Sequence, residues 1–119
     1  MPALHDLRKI LIAAGCFALL VSAPALFGQG KRGGGGDAAK GKELFEANCS
    51  VCHNSDSEET KVGPGLKGLF KHDKLLNGKK VTEESVKEMI NEGGGGMPSF
   101  SDMLKDDEKD NLVAFLKTL

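Results

Sequence analysis

The chain has 119 residues, 39 % of them hydrophobic, with no Trp and no Tyr, which leaves room for one small domain. Its net charge of −1 hides a sharper balance: from Asp37 to Leu119 there are 12 Lys, no Arg and 16 Asp plus Glu, a net −4. That acidity argues against a nucleic-acid partner.

Residues 1–27 read as an export signal peptide or a membrane anchor. Arg8 and Lys9 form a positive flank, Ile10 to Val21 is an apolar run, and Ala23-Pro24-Ala25 is a small-x-small cleavage site. The run reaches Phe27, about 18 residues, just long enough for an uncleaved anchor. Ala13-Ala14-Gly15-Cys16 faintly resembles a lipoprotein box, without the usual branched residue. On each reading the rest of the chain is exported. Residues 28–36, Gly-Gln-Gly-Lys-Arg-Gly-Gly-Gly-Gly, form a linker by composition.

The domain then spans 37–119. Asp37 is placed to cap a helix through Ala38, Gly41, Leu44 and Phe45 to about Asn48. Asn54 to Lys61 is a polar loop, and Val62-Gly63-Pro64-Gly65-Leu66 is a turn. A short apolar piece at Leu66, Leu69 and Phe70 leads into a lysine-rich loop ending in Asn77-Gly78. Asn-Gly often marks a hairpin, but the flanks do not alternate, so a plain turn is expected. Thr82 caps a second predicted helix, Glu83 to about Asn91, with Val86, Met89 and Ile90 inward. Gly93 to Gly96 ends it. The last helix is predicted from about Asp107 to Thr118, capped by Asp106, with Leu112, Phe115, Leu116 and Leu119 buried. No strand pattern stands out. The domain is all-α, with long loops that a large ligand would account for.

The most specific stretch is Cys49-Ser50-Val51-Cys52-His53, at the end of the first helix. C-x-x-C-H is the spacing of covalent haem attachment. On a helical turn, residues three or four apart share a face. Two thiols there can each form a thioether to a porphyrin vinyl group, and the adjacent imidazole can meet the iron. A disulfide between Cys49 and Cys52 would need no histidine. A thioredoxin-like pair would need a βαβ surround, and a zinc site would show a second ligand pair. One covalently attached haem c is therefore the expected cofactor, with His53 as iron ligand. It would also supply core to a domain with no disulfide left over.

The opposite face of the iron needs a ligand as well. Met89 lies on the inner face of a helix and reads as core filler. Met103 has no telling neighbours, His72 reads as a loop histidine, and Met1 and His5 fall in the export segment. Met97 sits in Gly93-Gly94-Gly95-Gly96-Met97-Pro98, where glycines let the backbone approach a flat ligand and Pro98 stiffens the far side. A thioether there can bind the iron and raise its potential.

These residues resemble a small bacterial class I, mono-haem c-type cytochrome. The resemblance covers Asp37 to Leu119 and rests on four matches in order: Gly41-x-x-x-Phe45 before the C-x-x-C-H stretch, Gly63-Pro64-Gly65-Leu66-Lys67-Gly68-Leu69-Phe70, Gly96-Met97-Pro98-Ser99-Phe100, and Leu112-Val113-Ala114-Phe115-Leu116. It implies a cytochrome c fold whose first and last helices cross, with Gly41 permitting close approach and Phe45 and Phe115 packed there. It further implies that the Pro64 carbonyl accepts the second ring proton of His53, and that Leu66 walls the haem pocket. Relatives that hold the haem propionates with Arg, Trp or Tyr differ from this domain, which has none of the three. Asn77, Lys79, backbone amides or solvent would serve instead.

The function expected is single-electron transfer between periplasmic or membrane redox partners such as an oxidase, a reductase or a quinol-oxidising complex. A His/Met-ligated iron cycles between Fe(III) and Fe(II) and has no open site for a substrate, so the protein is an electron carrier of a respiratory chain rather than an enzyme. It is expected to be monomeric and exported to the periplasm, either free or tethered to the cytoplasmic membrane. Lys61, Lys67, Lys71, Lys74, Lys79 and Lys80, between acidic stretches, would steer docking. The alternatives are a haem protein with an open sixth site (a gas sensor or peroxidase) and a haem-free thiol oxidoreductase.

Overall fold

The computed structural model describes residues 35–119; the export segment and most of the linker lie outside them. Helix α1 spans Ala38–Asn48. Asp37 starts it, its carboxylate accepting from the amides of Ala39 at 2.9 Å and Lys40 at 3.2 Å. Helix α2 spans Glu83–Glu92, capped by Thr82. Here the Thr82 hydroxyl accepts from the Ser85 amide at 3.1 Å and the Ser85 hydroxyl accepts from the Thr82 amide at 2.9 Å, a reciprocal capping box. Helix α3 spans Asp106–Leu116.

The last helix begins one residue earlier than predicted, and Asp106 is its first residue rather than its cap. The Glu108 carboxylate, three positions on, takes the Lys105 amide at 2.8 Å and so fixes the start there. Asp106, Asp107 and Glu108 then occupy the positive end of the helix dipole.

Helices α1 and α3 make the main contact of the domain. Gly41 and Phe45 are the buried residues of α1. Gly41 is required by space: a Cβ there would lie 1.9 Å from the Asn111 carbonyl oxygen of α3. One turn on, the Phe45 and Phe115 rings meet in a tilted pair, centroids 5.4 Å apart and planes at 56°. The chain before α1 is held to the same helix. The Asp37 amide donates to Asn111 Oδ1 at 2.7 Å, and Gly36 lies so close to Asp110 that a Cβ would meet its backbone at 2.2 Å. Helix α2 adds Val86 and Ile90, and the core is closed by Phe100, Leu104, Leu112, Val113 and Leu116.

Among the described residues no strand forms, and only two isolated antiparallel bridges are present. One of them corrects the plain turn expected at Asn77-Gly78. Lys74 pairs with Lys80; the Leu75 amide donates to Lys79 O at 2.8 Å and the Val81 amide to Asp73 O at 3.1 Å. The segment is a miniature hairpin. Its flanks lack alternation because too few residues pair to bury a face. No helix among the described residues is long and apolar enough to cross a membrane.

Candidate functional site

Helix α1 ends at the cysteine motif, which continues it as one further turn. The amides of Cys52 and His53 both donate to the Cys49 carbonyl, at 3.0 and 2.8 Å. Cys49, Cys52 and His53 thus sit on a single turn whose backbone is fixed by α1. Both thiols are free and half-buried. Burial, with the neighbouring Cys52 second, pushes the Cys49 thiol up to about 11. At neutral pH the bare polypeptide therefore holds Cys49 as a thiol.

The loop after the motif folds back over it. Gly63 N–H donates to Cys52 O at 2.8 Å, Lys61 Nζ to Ser50 O at 3.0 Å, and Leu66 N–H to Asn54 O at 2.8 Å. This brings the Pro64 carbonyl to 2.8 Å from His53 Nδ1. Because a carbonyl only accepts, Nδ1 carries the proton and Nε2 is left with its lone pair. Gly63 lies flat against the same ring, where a Cβ would be 2.5 Å from Cε1. That contact was missed in the sequence, although the small residue directly before Pro64 was its only available trace. Leu66 is half-buried and packs on the core.

Met97 lies in a loop whose geometry depends on its glycines. The Gly94 amide donates to Met97 O at 2.9 Å and the Met97 amide returns to Gly94 O at 3.0 Å. Gly95 and Gly96 form the tip, at φ +61° and +94°. Two central residues with positive φ are what a two-residue hairpin turn demands. The loop is tied to α2 at both ends, through Gly93 N–H to Met89 O at 2.8 Å and Phe100 N–H to Ile90 O at 3.0 Å. Met97 itself is half-buried against the core. Met103 is 62 % exposed and His72 is exposed, which leaves both poorly placed for a buried metal.

The residues fit a haem. Cys49, Leu66, Leu69, Phe70, Leu75, Val81 and Met97 are among the apolar residues that pack against the core yet stay only partly covered, leaving apolar surface that a large flat group can bury. Two unpaired thiols on one turn and one imidazole with a committed Nδ1 complete the donor set. A hollow of about 330 Å³ also touches His53, between Phe45, Ser50, Asn54 and Phe115, but its lining includes neither cysteine nor Met97.

Comparison with known proteins decides the family. The family model described as cytochrome c oxidase, cbb3-type, subunit III matches residues 36–116. The chain belongs to the class I mono-haem c-type cytochromes. It is 38 % identical over 84 residues to a cytochrome c6 of Bryopsis maxima, covering 69 % of this chain and 91 % of that one. A cytochrome c6 of Leptolyngbya boryana is 36 % identical over 80 residues, covering 67 % and 89 %. Among solved structures, cytochrome c6 from the diatom Phaeodactylum tricornutum superimposes with a TM-score of 0.57 at 30 % identity, covering 70 % of this chain and 93 % of that one. The fold is the all-α cytochrome c fold, and the cofactor is one covalently bound haem c, with Cys49 and Cys52 positioned for its attachment.

Proposed function

We propose that this cytochrome carries single electrons between redox proteins outside the cytoplasm, with His53 and Met97 as the two iron ligands. The observation that carries the reading is the 2.8 Å contact between His53 Nδ1 and Pro64 O. It commits one ring nitrogen to the protein and leaves Nε2 as the only lone pair able to bind a metal. The half-buried Met97 thioether, on a loop anchored to α2 at both ends, supports the other ligand position.

The haem supplies a one-electron Fe(III)/Fe(II) couple. The chain supplies what makes that couple useful. Cys49 and Cys52 hold the group on a turn continuous with α1, so it keeps its place through repeated oxidation and reduction. Pro64 orients the imidazole and raises its basicity. Leu66, with the neighbouring apolar residues, excludes water and keeps the local dielectric low. With His53 and Met97 both bound to the iron, no position would be left for a substrate.

For partners we infer an oxidase, a reductase or a quinol-oxidising complex with an acidic docking face. Lys67, Lys71, Lys74 and Lys80 are exposed, in a domain otherwise rich in carboxylates. For localisation we infer the periplasm, from the signal-like residues 1–27.

A redox titration of the wild type and of Met97→Ala tests the ligand pair. The wild type should give a one-electron curve, and the variant should shift to lower potential because the thioether stabilises Fe(II). An unchanged potential would mean that another residue binds the iron.

A further inference from the structure

Asn91, in the last turn of α2, is an anomaly in the hydrogen bonding of the domain. Its side-chain Oδ1 is fully buried, and no hydrogen-bond partner lies among the described residues. A buried carboxamide end without a partner is costly, and turning the amide through 180° only exchanges a needy acceptor for a needy donor. Native interiors meet such a need with an ordered water or a bound group.

The location gives the need a meaning. Asn91 already touches the Met97 loop through its backbone, since its carbonyl accepts from the Ser99 hydroxyl. The Ser99 hydroxyl in turn takes the Ser101 amide at 3.3 Å, and lies 3.0 Å from the Ser101 hydroxyl. The residue immediately before Asn91, Ile90, receives the Phe100 amide at 3.0 Å. The last turn of α2 is therefore where the segment following Met97 is moored, and Asn91 is the moored residue with one polar group still unused.

We propose that Asn91 is a positioning residue for Met97, its side-chain amide holding a buried water that braces the Met97–Ser99 segment against α2. Water suits the site because it donates and accepts, and so satisfies the amide in either orientation. A haem propionate could satisfy it only with the NH2 turned inward. The proposal rests on the reading of Met97 as an iron ligand.

The test compares the holoproteins of wild type, Asn91→Leu and Asn91→Ala. Two readouts are taken: the pH midpoint at which the thioether-to-iron(III) charge-transfer band is lost, and stability to denaturant. Leu fills the site with an apolar group and removes the water. Ala leaves space that a second water can occupy. Losing one bracing interaction should weaken Met97 ligation roughly tenfold, read as a midpoint about one pH unit lower. Asn91→Leu should show the full shift and the larger loss of stability, and Asn91→Ala less of both, although Leu is the better core residue.

If Asn91→Leu is instead more stable than Asn91→Ala and keeps the wild-type midpoint, the Oδ1 is a true orphan and the proposal fails. If the wild type lacks the charge-transfer band, the ligand reading fails separately, and the order of stabilities still reports whether Asn91 has a partner. A potential that falls in both variants to the same extent, with no change in the pH midpoint, would assign the amide to a propionate and overturn the water.

Discussion

Replacing Gly41 with alanine should destabilise the domain although alanine is the better helix former. An added Cβ would sit 1.9 Å from Asn111 O, 2.6 Å from Asn111 C and 2.8 Å from Phe115 Cβ. Ordinary contact begins near 3.4 Å, so α1 and α3 would have to part by roughly 1.5 Å. The obstacle is helix backbone, which cannot rotate away as a side chain can. Overpacking of this kind costs about 1–3 kcal/mol, and the upper end applies here. Better helix propensity returns about 0.5–1 kcal/mol. The net is a loss of about 2 kcal/mol, which for a domain of this size lowers Tm by roughly 10 °C. Thermal unfolding of the holoprotein, followed by far-ultraviolet circular dichroism and by haem absorbance, measures it. Ala39→Gly, at an exposed position of the same helix, is the control and should cost only about 0.5–1 kcal/mol. A Gly41→Ala protein as stable as wild type would refute the close helix contact.

Gly63→Ala should leave the fold intact but press on the His53 ring, whose Cε1 would be 2.5 Å from the new methyl. Tilting the ring weakens its bond to Pro64 and makes it a poorer donor to iron, so the redox potential should rise; an unchanged potential would show that this bond does not tune the site. Lys79 bonds Glu88 at 2.7 Å, and that hydrogen bond raises the lysine pKa above its ordinary value. Its contribution is complete below the unfolded lysine pKa of about 10.4 and is lost as pH climbs through the higher folded value. Lys79→Met should therefore match wild type closely at pH 7 in physiological salt, and its stability should fall less steeply above about pH 10; a large loss at pH 7 would mean the pair does more than an exposed ion pair can.

The sequence showed the parts of this protein that local chemistry controls. Asp37 and Thr82 cap the helices they were expected to cap, because each is a side-chain acceptor directly before an amphipathic run. Cys49 and Cys52 were legible because attachment chemistry fixes their spacing. Less legible were features that depend on distant partners. Asn111 receives the Asp37 amide across 74 positions of sequence, and nothing local marks it. Lys109 is only 4 % exposed, with its amine 3.4 Å from Ser101 O and 3.6 Å from Asp106 Oδ1; its charge alone would place it at the surface. The turn at Asn77-Gly78 closes into a bridge because Gly78 adopts φ +82° and Asn77 Oδ1 takes the Lys79 amide at 3.0 Å. Alternation of the flanks was the wrong criterion for so short a pairing. Helix α3 starts one residue earlier because the Glu108 carboxylate accepts the Lys105 amide from three residues on, and no side-chain acceptor at position 105 marks that start in the sequence.

The central claim is that both axial positions of the iron are filled by side chains. The visible spectrum of the reduced protein at neutral pH, recorded before and after adding carbon monoxide, tests it most directly. The account predicts that the two spectra coincide for wild type and that only Met97→Ala binds the gas. Rapid carbon monoxide binding by wild type would contradict it and point to an open-site haem protein instead.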